Sequence, residues 1–256
     1  MKGSEKMKKT AYILAAAALI AALSGCSSNA GSADTTTAPE DGVHTQVAYE
    51  ADEKDDTTDE AIEFLKTKVP LFTKYLEKRM QCPLTFETEV EINGEVFKTA
   101  MYIKDEKNIC LSSTDADGYT SRRVYTPDML YVVLDKERIV CTNSMDEATI
   151  KEIVAANMLR IDVDEAKEME YVDDYDYFRD VLYKHEIIYT EPGVGSHYFF
   201  DENTDELVYI ANSNSVTKIT CLKNELTESA FVIPEDYEVK DLYEYADELE
   251  AAGALQ

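Results

Sequence analysis

The chain has 256 residues, with 25 basic and 52 acidic side chains and a formal net charge of −27. Residues 1–26 hold four of the lysines and one glutamate, so the rest carries 21 basic and 51 acidic side chains, a net charge of −30. A surface of that sign repels phosphate backbones and excludes nucleic-acid binding, while the length suffices for one sizeable core.

Lys2, Lys6, Lys8 and Lys9 precede the apolar run Ala11–Leu23, and small residues follow it. A basic start, a short apolar stretch and small residues at the cut make a secretory signal, too short for a comfortable permanent membrane span. Leu23-Ser24-Gly25-Cys26 then resembles the lipobox of bacterial lipoproteins. That resemblance implies cleavage before Cys26 and a diacylglyceryl group on its sulfur, which would anchor the chain to the membrane at its extracytoplasmic face. Two acyl chains hold where one is marginal, at about 0.8 kcal/mol per buried methylene. The expected division is a signal over 1–25, a flexible tether over 26–58, a β domain over 59–240 and an acidic tail over 241–256. The tether is small, polar and turn-rich, and ends in the acidic run Glu50–Asp56. Nothing in it buries enough apolar surface to offset the entropy of ordering.

Ile62, Leu65, Val69, Phe72 and Leu76 recur at spacings of three and four, which predicts a helix over 59–80, kinked or split at Pro70. Thr57 and Glu60 read as its capping box. From Leu84 the period becomes two: Leu84, Phe86, Val90 and Ile92 point one way and Thr85, Glu87, Glu89 and Glu91 the other. Asn93-Gly94 then marks a hairpin to 95–104, which carries Phe97, Met101 and Ile103 on one face. Further strands are expected at 108–113, 119–126, 129–134 and 138–142. Ser144 and Glu147 read as a capping box opening a helix to about Leu159, with Ile150, Ile153, Val154 and Met158 inward. Strands resume at 182–190, 196–201, 206–212 and 216–222, with a last edge segment at 231–237. Tyr171–Phe178 reads as an acidic, aromatic loop.

These elements predict an α+β fold, mainly antiparallel β. A curved meander sheet or incomplete β-barrel would wrap the N-terminal helix, with an inserted helix near 145–159. The pattern resembles the incomplete barrels of bacterial lipoprotein carriers and their receptors, the LolA/LolB-like superfamily. The features that carry the resemblance are the leading helix, the successive short hairpins, Phe-Phe-Asp-x-x-Thr-x-x-Leu-Val-Tyr-Ile at 199–210 and Phe-Val-Ile-Pro-x-x-Tyr at 231–237.

There is no Gly-x-Ser-x-Gly, His-Glu-x-x-His or P-loop. Gly193-Val194-Gly195 lacks the third glycine of a dinucleotide loop. A calcium loop at Asp115-Ala116-Asp117-Gly118 would begin on Ser113 and end on Val124, so it lacks both terminal ligands. His185 shares a strand face with Tyr183, Ile187 and Tyr189, and His197 sits beside Tyr198. Two histidines alone do not make a ligand set, and they read as packed and hydrogen-bonded. The chain therefore reads as a non-enzyme, with no catalytic residue, cofactor or metal. Beyond Cys26, the cysteines Cys82, Cys110, Cys141 and Cys221 fit two disulfides or four free thiols.

Two functional readings remain. In the first, the half-barrel shelters an apolar ligand such as a lipid or acyl chain against Phe86, Val90, Phe97, Met101 and Ile103. These five suit a closed core equally well, and a cavity of several hundred Å³ would distinguish the two. In the second, an envelope protein binds through Tyr171, Tyr175, Tyr177 and Phe178, because exposed aromatics make good interface anchors. Seventeen tyrosines without a tryptophan suit either the rim of a sheet or a binding face.

Overall fold

The computed structural model describes residues 56–92, 94–158, 163–191 and 194–252. The signal, Cys26 and the tether up to residue 55 lie outside the described residues, as do Asn93, Leu159, Asp162 and Gly193. Twelve strands form one open sheet, in the order β12-β6-β5-β4-β3-β2-β1-β11-β10-β9-β8-β7. All neighbours are antiparallel except β12 and β6. Two meanders make it up. The first is β1 (Leu84–Ile92), β2 (Glu95–Asp105), β3 (Asn108–Thr114), β4 (Thr120–Thr126), β5 (Met129–Leu134) and β6 (Ile139–Ser144). The second is β7 (Glu170–Phe178), β8 (Val181–Glu191), β9 (Val194–Phe200), β10 (Leu207–Ala211) and β11 (Val216–Lys223). They join where β11 pairs with β1, Phe86 opposite Leu222 and Val90 opposite Thr217.

The helical period at the start yields two helices, α1 (Asp56–Lys66) and α2 (Pro70–Arg79), with Pro70 in the first turn of the second. Proline is suited to that place because its missing N–H would lack an intrahelical acceptor anyway. All five residues of the predicted stripe are buried, and they pack on Leu84, Phe86, Met101, Ile103, Ile109 and Phe200. The structure moves both expected caps. α1 already includes Thr57, and α3 (Glu147–Asn157) is capped by Asp146, whose carboxylate accepts from Thr149 N, while Ser144 ends β6. Ile150 and Val154 of α3 and Ala166 of α4 (Val163–Glu168) complete the core on this face, which we call the inner face.

Between β6 and β7 the chain therefore travels the full width of the sheet, carrying α3 and α4 across the inner face. It returns over the outer face. Residues 224–237 include a 3-10 turn at Glu228–Phe231, and Ala230, Phe231 and Ile233 pack on Cys110, Val124, Tyr102 and Tyr131. The chain then pairs as β12 (Glu238–Asp241) alongside β6, and α5 (Leu242–Ala251) packs beside that edge. The last edge strand is thus 238–241 and not the expected 231–237. Phe231 and Ile233 are taken up by the outer-face cluster, and Pro234 has no N–H to give to a ladder.

The expected loop at 171–178 is strand β7. It pairs with β8 without a bulge from Glu170 opposite Tyr189 to Phe178 opposite Val181. The hairpin turns on Arg179 and Asp180, at φ 52° and 65°. Two consecutive left-handed residues make the twist-matched two-residue turn usually signalled by Asn-Gly, and Arg-Asp hides that signal. The overall class is as expected: a mainly antiparallel sheet, not closed into a barrel, with helices on its inner face. Among the described residues no helix is long and apolar enough to cross a membrane.

Candidate binding groove beside the second helix

Phe86, Val90, Phe97, Met101 and Ile103 all project to the inner face, as the two-residue period requires. Phe86, Met101 and Ile103 are buried in the packed core under the helices; Val90 is buried and Phe97 half-buried. None of the five lines the groove found beside them, which runs between α2 and strands β10 and β11 with a volume of about 240 Å³. Its floor is Leu71, Tyr75, Phe200, Leu207, Ile219 and Leu222; Lys74 and Lys78 stand on the helix side, and Asp205 and Glu206 opposite them. Lys74 reaches Asp205 at 3.2 Å, and Lys184 reaches the other oxygen of the same carboxylate at 2.6 Å.

Next along α2 from Lys78 is Arg79, only 3% exposed. Its guanidinium lies 4.3 Å from the centre of the Phe86 ring. Its Nε and Nη1 are buried without a hydrogen-bond partner among the described residues. Burial raises the Tyr75 hydroxyl pKa, and Arg79 pulls it partly back. A buried guanidinium facing an aromatic ring recovers only part of its lost hydration, so it is a fixed positive centre in an otherwise acidic protein. Sequence reading missed Arg79 because it looks like the basic last turn of an exposed helix. Only the distant Phe86 shows that it is buried.

The position of α2 is set from β8. Val69 has no side chain to cap the helix, and the task passes to Glu186, which is 0% exposed. Its two oxygens accept from Leu71 N at 2.9 Å and Phe72 N at 2.6 Å. These are N–H groups of the first turn, which have no intrahelical acceptor. Burial, partly offset by those two bonds, pushes the Glu186 carboxyl up to about 7.

The second predicted set divides between the two faces of β7. Tyr171 packs edge-on against Phe64 and donates its hydroxyl to Ala166 O. Phe178 is on the other face, stacked 4.5 Å from Phe199. Between them Tyr175 and Tyr177 are 54% and 70% exposed. The outer face beyond Phe178 holds Tyr183, Tyr209 and the stacked pair His185 and His197, with His185 Nε2 3.0 Å from His197 Nδ1. Burial, together with His197, holds His185 below its usual range. Among the described residues no three His, Cys, Asp or Glu side chains converge as a metal site. The 115–118 segment is a turn, with Asp115 accepting from Tyr119 N and Gly118 at φ 86°. Cys82, Cys110, Cys141 and Cys221 are all free thiols. Burial pushes Cys110 up to about 12 and Cys141 to about 11.

No protein-family profile matches the chain, and no curated protein matches it. Several solved structures are similar. An uncharacterized conserved protein from Thermus thermophilus is 10% identical over 67% of this chain and 97% of its own, with a TM-score of 0.38. The MucA/MucB complex of Pseudomonas aeruginosa gives 10% identity over 67% of this chain and 62% of that one, with a TM-score of 0.37. A LolA superfamily protein from Nitrosomonas europaea is also among them, at 9% identity over 69% and 98% and a TM-score of 0.29. Likeness at this level assigns no function.

Proposed function

We propose that the chain is a non-enzymatic binding protein of the extracytoplasmic membrane face, tethered by lipid on Cys26, that takes the anionic end of an apolar ligand between α2 and strands β10 and β11. The observation that carries this reading is Arg79, a buried guanidinium with two unbonded nitrogens on the Phe86 ring, which follows Lys78 of the groove wall on α2. Lys78 on the same helix adds positive charge at the mouth, while Lys74 is paired with Asp205. At about 240 Å³ the groove holds one end of a ligand and not the whole of it, since enclosed ligands occupy roughly 300–1,000 Å³.

The test compares three twelve-carbon probes of different charge: dodecanoate, dodecanol and dodecyltrimethylammonium. The carboxylate is expected to bind at least about tenfold more tightly than the others, and the Arg79→Met chain to lose that preference. Equal binding of the three would refute the reading. A second reading, contact with an envelope protein along β7, is favoured by the exposure of Tyr175 and Tyr177; Tyr171 and Phe178 pack on opposite faces and hold the strand.

A further inference from the structure

The sheet has two edges, and they are finished differently. β12 has four residues, and α5 packs beside it. β7 has nine, pairs with β8 without a bulge, and turns its other side to no strand. Exposed edges are usually blunted by lysine, proline, a bulge or a covering element. β7 has no lysine or proline; its interruptions are Glu170, Asp173, Asp174 and Asp176.

Both ends of the strand are pinned, by Tyr171 on Phe64 and by Phe178 on Phe199. The stretch between them is therefore held extended and exposed. Alternation places Asp173, Tyr175 and Tyr177 on one face of the edge and Asp174 and Asp176 on the other. The nearby cations are engaged elsewhere: Lys184, opposite Tyr175, binds Asp205 at 2.6 Å, and Arg179 binds Glu91 at 2.6 Å. His185 Nδ1 is 3.8 Å from Asp176, but burial and His197 disfavour its charged form. A second copy of β7 would set these carboxylates against themselves, so like-charge repulsion opposes self-pairing.

From this edge we infer that β7 accepts an extended, lysine- or arginine-rich segment of a partner protein as a thirteenth strand. Main-chain bonds to β7 would supply the pairing, displacing the Asp174 and Asp176 carboxylates that now accept from Tyr175 N at 2.8 Å and Tyr177 N at 2.7 Å. Basic side chains of the incoming segment would meet Asp173, Asp174 and Asp176, and their aliphatic stems would lie across Tyr175 and Tyr177. The inference rests on the second reading above, contact through the β7 side, and adds to it the mode of contact and the chemistry of the partner.

The probe is a nine-residue peptide alternating Lys or Arg with Thr or Val, matched to the length of β7. The same peptide is also made with alternate backbone nitrogens methylated, which keeps every charge but removes the donors. Full-length protein is titrated with each, and hydrogen exchange is read over residues 170–178. The unmodified peptide is expected to slow exchange there and to bind at least about tenfold more tightly than the methylated one, since each lost backbone bond is worth roughly 0.5–1.5 kcal/mol. A Glu-for-Lys/Arg version is expected not to bind. Equal binding of the parent and methylated peptides, without protection of 170–178, overturns strand addition. Tyrosine footprinting at Tyr175 and Tyr177 would in that case still report whether the surface is a contact. Absence of binding by the basic peptide also overturns the inference, and leaves the groove reading to its own test with the twelve-carbon probes.

Discussion

Replacing Glu186 with Gln isolates the buried carboxyl that holds the start of α2. In the folded chain this carboxyl lies at about 7, against an ordinary 4.5, because burial outweighs its two backbone bonds. The folded state therefore holds the proton more tightly than the unfolded state. The stability this confers is fully present below about pH 4.5 and is lost as the pH rises through about 7. The 2.5-unit difference corresponds to about 3 kcal/mol at 1.36 kcal/mol per unit. Gln does not titrate; its amide nitrogen cannot accept, so it keeps only one of the bonds from Leu71 N and Phe72 N, a loss that does not change with pH. Urea unfolding of the two chains, followed by far-UV circular dichroism, removes every other titration from the comparison. Between about pH 4.5 and about pH 8.5 the wild type should lose about 3 kcal/mol relative to Glu186→Gln. A difference that does not change with pH would refute the reasoning. A difference of opposite sign would mean that the Leu71 and Phe72 N–H groups outweigh burial and hold the site ionised.

Further outcomes test other parts of the structure. Arg79→Met should raise the stability of the ligand-free protein by about 1–3 kcal/mol in chemical denaturation, because it removes a buried guanidinium with two unbonded nitrogens. Ile150→Ala should cost about 2–5 kcal/mol by the same assay, since Ile150 fixes α3 in the core with no exposure. Asp180→Gly should raise the thermal midpoint, worth up to about 1 kcal/mol, because φ 65° favours glycine. In the native protein iodoacetamide should label Cys82, which is exposed, and reach Cys110 and Cys141 only on unfolding.

The strands of both meanders other than β7 were legible because each buries one face, and the two-residue period records it, as at Leu84, Phe86 and Val90. The α1–α2 stripe was legible for the same reason at the helical period. β7 was not, since an edge strand beside solvent needs no apolar face. Its acids resemble a loop, and Arg179-Asp180 lacks the usual turn residues. The order of the sheet was hidden as well, because the β1–β11 contact joins segments more than a hundred residues apart and leaves no local pattern. The groove was invisible for a related reason: its walls come from residues 71–78 and 200–222. Glu186 and Arg79 look like ordinary surface charges until their distant partners, the start of α2 and the Phe86 ring, are placed beside them.

Native mass spectrometry of the full chain, purified gently from its own membrane, tests the ligand proposal most directly. A bound excess mass, released by organic extraction as an anionic amphiphile and absent from Arg79→Met, is the predicted result. A protein that carries no such mass and takes up no dodecanoate on incubation would contradict it.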